Sequence, residues 1–133
     1  MKKGVFLSLV ALCCSLPLHA LHKKDVPESV SAAKTIYVIN ETESEKVGDD
    51  AYRDLEQWGK YQVVHERKGA DLILHFKQGQ WESGGQSHAT FYMYVTAGDS
   101  DDRLFERHTH FVMGAGSIAR GNIDAFRKWV EGK

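Results

Sequence analysis

Two histidines stand two residues apart in the stretch "RLFERHTHFVM", Arg103 to Met113. Neutral imidazole is the commonest protein ligand for zinc and copper, so the spacing raises a metal site. In a strand, alternate residues share a face. Leu104, Glu106, His108, His110 and Val112 would then point one way, and Phe105, Arg107, Thr109, Phe111 and Met113 the other. The second set is the more apolar and is expected to meet the core. Neighbouring Cα atoms on one face are ~7 Å apart, close enough for two imidazoles to converge on one ion. A closed site needs a third or fourth ligand, and His75, His88 and Glu106 are the residues of suitable type. The metal candidates are therefore His108, His110, His75 and Glu106. Against them stands a plainer reading, in which the histidines are surface groups on a half-solvated sheet face.

Other chemistries find less support. Both cysteines, Cys13 and Cys14, fall in the first twenty residues, so no thiol is expected in the working protein. No GxSxG elbow and no HExxH motif occurs. Gly79–Ser87, "GQWESGGQS", has three glycines but no GK[ST] and no helix start, so it reads as a hairpin connection rather than a phosphate cradle. Asp99–Asp102, "DSDD", reads as a turn, since a calcium loop spreads its oxygen ligands over a longer frame with a distal acid. Asp71 fits a turn cap after Gly69 better than a buried acid. "NET" at Asn40–Thr42 matches a glycosylation acceptor that is common by chance. No catalytic residue, no enzyme activity and no cofactor is expected.

The elements that must hold these groups begin after a leader. Lys2 and Lys3, an uncharged apolar run from Gly4 to Leu16, Pro17 and the small Ala20 have the layout of a secretory signal peptide over residues 1–20. Leu12 stands before Cys13 where a lipid-attachment signal wants a small residue, which argues against a lipid anchor. A periplasmic or secreted location follows, in a protein stabilised by core burial and not by disulfides. Loss of Lys2 and Lys3 would take the formal charge from −1 to −3. With no basic block, no nucleic acid partner is expected. With no second long apolar run, no membrane span is expected.

Residues 21–33 are polar and hold Pro27, and read as a flexible lead-in. One domain, residues 34–133, follows. "KTIYVIN" is an apolar strand closed by Asn40. Asp49 or Asp50 could cap a helix carrying Ala51, Leu55 and Trp58 at helical spacing, with Gly59 at its left-handed stop. "YQVVHE", "DLILHFK", "HATFYMYVTAG" and "RLFERHTHFVM" are four more strands. Ile123, Phe126, Trp129 and Val130 form the stripe of a last helix, capped by Ser117 or Asn122. The fold class is α+β: a β-α-β-β-β-β-α two-layer sandwich. A mixed, mostly antiparallel five-stranded sheet, with one parallel pairing from its strand-helix-strand start, carries two helices on one face.

Leu55, Trp58, Gly59, Val63, Val64, Ala70, Asp71 and Leu72, in "GDDAYRDLEQWGKYQVVHERKGADLILHF", carry a likeness beyond this pattern. The stretch resembles a set of small, exported, uncharacterised bacterial α/β proteins, in which a helix ends near Trp-Gly and "ADL" opens a later strand. "FYMYVTAGDSDDRLFER" is similar to the hairpin that follows in them. The order of elements more loosely resembles the domain at the amino end of TolB and the periplasmic domains of curli-secretion lipoproteins. The resemblance implies an envelope location and assembly with other proteins, and supplies no catalytic residue. Tyr92, Tyr94, His108 and His110, gathered on the open sheet face, are the expected binding residues, since exposed aromatic groups favour contact. The function expected is a non-enzymatic module that binds an envelope protein or itself, through that face or an edge strand. The alternative is a small zinc- or copper-binding protein using the strand histidines.

Overall fold

The computed structural model describes residues 25–110 and 115–133. The expected leader over 1–20 lies outside the described residues, as do Phe111, Val112 and Met113. The elements are α1 (Glu28–Ser31), β1 (Thr35–Glu41), α2 (Glu45–Trp58), β2 (Gln62–Val64), β3 (Leu72–Ser83), β4 (Gln86–Ala97), β5 (Arg103–Thr109) and α3 (Ala115–Glu131). The fold is the α+β sandwich anticipated, with α1 added in front. Within the lead-in expected to be flexible, Glu28–Ser31 forms α1. Val30 of α1 is fully buried, and its carbonyl accepts the Tyr61 hydroxyl at 3.1 Å. An isolated apolar residue in a polar stretch gave no periodic signal of this docking.

The sheet runs β2-β1-β3-β4-β5. β1 is parallel to both of its neighbours, and β3-β4 and β4-β5 are antiparallel. The second parallel contact arises because the three-residue β2 lies on one side of β1 while β3 lies on the other. Ile36, Val38, Leu72, Leu74, Phe76, Met93 and Val95 face the helices and pack with Val47, Ala51 and Leu55 of α2 and Ile118, Ile123 and Phe126 of α3. Phe126 sits at the centre of an aromatic cluster, with ring centroids 5.4 Å from Phe105, 5.8 Å from Trp58 and 6.0 Å from Trp129. Trp58, expected as a core anchor, is partly buried and packs against the rim of this core, edge-on to Phe126 and Tyr61.

α2 starts at Glu45, earlier than an Asp49 or Asp50 cap would place it. The start is set by Asn40, whose Nδ2 donates to Ser44 O at 2.9 Å and whose Oδ1 accepts from Thr42 N and Oγ1. Asp50 is instead inside the helix, buried, and paired with Lys46 at 3.0 Å and Arg53 at 2.6 Å. The helix ends at Gly59, in the left-handed region, whose N–H donates to Leu55 O. In α3, Asn122 is buried within the helix rather than capping it. Its Nδ2 donates to Ile118 O and its Oδ1 accepts from Thr109 Oγ1, tying α3 to β5.

The stretch read as a loop at Gly79–Ser87 is largely strand. β3 runs on to Ser83 and β4 begins at Gln86, leaving Gly84 and Gly85 as the turn. Both glycines have positive φ, 60° and 76°, as a tight hairpin turn matched to strand twist requires.

Candidate functional site

The sheet face away from α2 and α3 is built in cross-strand rows. Pairing places Ile39, His75, Tyr94 and Glu106 in one row, and Glu41, Lys77, Tyr92 and His108 in the next. Gly79 and Thr90 begin a third row, where His110 Nδ1 lies 3.5 Å from Thr90 Oγ1. Tyr92, Tyr94, His108 and His110 thus lie along two adjoining strands, and His75 joins them from β3.

Their environments differ. Tyr94 retains only 9% of its exposure although neither α2 nor α3 covers it. His75 stacks on its ring at 4.3 Å and 10° between planes, and the Arg103 guanidinium lies 4.3 Å from its centroid. Stacked imidazole and guanidinium groups both exploit the electron-rich ring face. Tyr92 is half-buried and meets His108 edge-on at 4.7 Å. His108 is exposed, and its Nε2 is 2.6 Å from Glu106 Oε1, which also accepts from Arg103 Nη1 at 2.9 Å. These bonds, from His108 first and then Arg103, hold the Glu106 carboxyl below its ordinary range. Glu41 pairs with Lys77 at 3.3 Å.

A bulge between Val95 and Thr96 puts Arg103, not Leu104, opposite Thr96. Leu104 therefore packs toward the core beside Phe105, and leaves the face that strict alternation assigned to it. Arg103 takes its place over Tyr94.

Beside this stack is a cleft of about 250 Å³ lined by Arg67, His75, Tyr94, Thr96, Arg103 and the Gly98–Asp101 turn. Burial pushes the His75 imidazole below its ordinary pKa. Arg67, Lys77 and Arg103 push the same way, and Glu41 opposes them. His75 is thus held neutral among cations. Its Nε2 is 3.5 Å from Thr96 Oγ1, but that hydroxyl donates to Gly98 O at 3.2 Å and is nearly sealed. The "DSDD" turn is closed by Ser100 N–H to Ala97 O and Asp102 N–H to Ser100 Oγ, with Asp99 paired to Arg67 at 2.9 Å.

Among the described residues, no group of three or more His, Asp or Glu side chains is arranged to hold a metal ion. Glu106 is committed to His108 and Arg103, and His75 to Tyr94, so the ligand candidates are not gathered around one point. Asp71 is exposed rather than buried. Its Oδ2 accepts from Lys34 N at 2.8 Å and Thr35 N at 3.0 Å, fastening the start of β1 to the start of β3. Asn40 is occupied by the bonds that shape α2. Lys77, Arg67 and Arg103 belong to the site and were not singled out from sequence. Reading Gly84-Gly85 as a two-residue turn would have found Lys77, because counting outward from it pairs Lys77 with Tyr92 and His75 with Tyr94.

The fold and face together define an α+β sandwich that presents an aromatic and charged sheet surface. No family model matches the chain. No curated protein matches it. Among solved structures it is similar to the PelC dodecamer from Paraburkholderia phytofirmans, with 15% identity and a TM-score of 0.43 over 74% of this chain and 86% of that one. It is similar to uncharacterized lipoprotein B from Nitrosomonas europaea, with 11% identity and a TM-score of 0.33 over 75% of this chain and 77% of that one. A minor lipoprotein from Acinetobacter baumannii gives 8% identity and a TM-score of 0.32 over 75% and 86%. Among the described residues, no helix is long and apolar enough to cross a membrane.

Proposed function

We propose that this protein is a non-enzymatic interaction module of the cell envelope, which docks a protein partner on the helix-free face of its sheet. The carrying observation is the pair of adjoining rows, Ile39-His75-Tyr94-Glu106 and Glu41-Lys77-Tyr92-His108. They combine stacked rings with charged groups of both signs on rigid strands. Such a surface offers apolar contact area and directional bonds at little entropic cost, because its side chains are already held. The non-enzymatic reading is supported by the state of its groups. His75 is stacked, the Thr96 hydroxyl is spent on Gly98, and Glu106 is ion-paired. The envelope location rests on the leader expected over residues 1–20.

The test is capture of partners from the native envelope fraction with the parent chain and with Tyr92→Ser plus His108→Ala. Both positions are less buried than Tyr94, so the fold should survive. Loss of a captured protein in the variant, with the same circular dichroism spectrum, supports the reading. Capture unchanged by the pair, yet abolished by Gln57→Ala plus Arg120→Ala on the helix layer, would refute it.

A further inference from the structure

The β3-β4 hairpin is longer than the sheet it belongs to. β1 gives β3 its last partner at Lys77, opposite Glu41, and β5 gives β4 its last at Phe91, opposite Thr109. From Gly79 and Thr90 outward to Ser83 and Gln86 the hairpin continues as two strands alone among the described residues. Five residues per strand make an arm of roughly 17 Å. A lone two-stranded ribbon is only marginally stable in water, and a third strand is what normally secures one. Gln80, Glu82, Ser87 and Ala89 on this arm are exposed.

The arm has two outer edges. On the β4 side the chain of β5 runs on past Thr109 to His110, beside Thr90. On the β3 side β1 turns away at Glu41 into the Thr42–Ser44 loop, with Glu43 bonded to the Gln78 side chain at the neck. Beyond that neck the β3 edge is open among the described residues. It also lacks the devices that keep strand edges from pairing. Between Gln78 and Thr90 the formal charge is Glu82 alone, with no lysine, arginine or proline. The sheet's other edges differ. β5 carries Arg103, Glu106, Arg107 and His108, and β2 is three residues long.

We infer that the outer edge of β3 over Gln78–Glu82 pairs with the same edge of a second copy of this chain, Gln80 against Gln80 about the axis. An antiparallel edge is self-complementary about a two-fold axis, so one sequence supplies both halves of the contact. With one formal charge on each arm, Glu82, the repulsion between two arms is small. Two marginal ribbons become one four-stranded ribbon, with the sheet continuous through both molecules. This contact is separate from the helix-free face and leaves that face available to a partner.

Sedimentation of the exported protein across a range of concentrations tests it. The parent should sediment with a dimer's mass at high concentration. Gln80→Lys, which sets lysines against each other across the axis, should give a monomer's mass with an unchanged circular dichroism spectrum. Gln80→Cys and Glu82→Cys, made separately, should yield a covalent dimer with a short bis-maleimide at one position or both. Lys60→Cys and the parent should not. A parent that is monomeric throughout would overturn the inference. So would a dimer that survives Gln80→Lys and fails to cross-link at both arm positions.

Discussion

Gly79 is tightly fitted against the helix-free face. A Cβ placed on it would come 2.8 Å from Tyr92 Cε2 and 3.4 Å from the phenol oxygen. Ordinary carbon contacts begin near 3.5 Å, so Gly79→Ala obliges the ring to retreat by about 0.7 Å or more. The ring is not free to do so without loss, because its edge-on contact with His108 is 4.7 Å between centroids. Giving up that pair costs about 0.5–1.5 kcal/mol. Twisting the side chain from its rotamer costs a similar ~0.5–1.5 kcal/mol. Alanine recovers about 0.5–1 kcal/mol over glycine within a strand. The net expectation is a destabilisation of roughly 0.5–2 kcal/mol, a fall in melting temperature on the order of 2–8 °C for a domain of this size. The assay is thermal unfolding by circular dichroism in two backgrounds. In the parent, Gly79→Ala should lower the midpoint. In Tyr92→Ser, where the obstructing ring is gone, the same change should be neutral or stabilising. Equal midpoint shifts in both backgrounds would refute the argument, since the clash would then play no part.

Two further outcomes concern pH. His75 has a folded-state pKa below its ordinary 6.5, so its contribution is complete above pH 6.5 and is lost as pH falls through the folded value. His75→Phe, which keeps a ring on Tyr94 but cannot protonate, should narrow the gap between melting temperatures at about pH 7.5 and about pH 5.5. Glu131 is held at about 2 by Lys133, Arg127 and the Trp58 indole N–H, which donates to it at 3.0 Å. Its contribution is complete above the ordinary 4.5 and is lost as pH falls toward 2. Glu131→Gln should therefore weaken the acid dependence of urea midpoints in that window and leave the dependence above pH 4.5 unchanged.

The layered α+β plan was legible because its signals are periodic. Leu72, Leu74 and Phe76 alternate with Ile73 and His75, and Ile123, Phe126 and Val130 recur at helical spacing. Gly59 marked the end of α2 for a purely local reason, its left-handed backbone. What was not legible depended on tertiary placement or on a missed turn. The length of the β3-β4 arm was hidden because glycines at 79, 84 and 85 suggest a loop, although two of the three make the turn and the third makes room for Tyr92. The second parallel contact of β1 could not be read from β2, whose three residues carry no register of their own. At the site, alternation placed Glu106 and His108 correctly on one face. The bulge at Val95/Thr96 exchanged Leu104 for Arg103, and no residue pattern announces a bulge. Burial of Tyr94 on a face without helices was likewise unreadable, because it comes from His75 and Arg103 on neighbouring strands.

The central position of β1 also governs the order in which this chain becomes structured. Its two parallel partners begin at Gln62 and Leu72, so no ladder bond of β1 can close until far more of the chain is present. The β3-β4-β5 meander, by contrast, closes through short turns and suits early formation. The Val30–Tyr61 contact likewise needs the chain through residue 61. A polypeptide whose first strand must wait for its later neighbours commits to its final shape only when the residues from Gln62 through Lys77 are there to receive it.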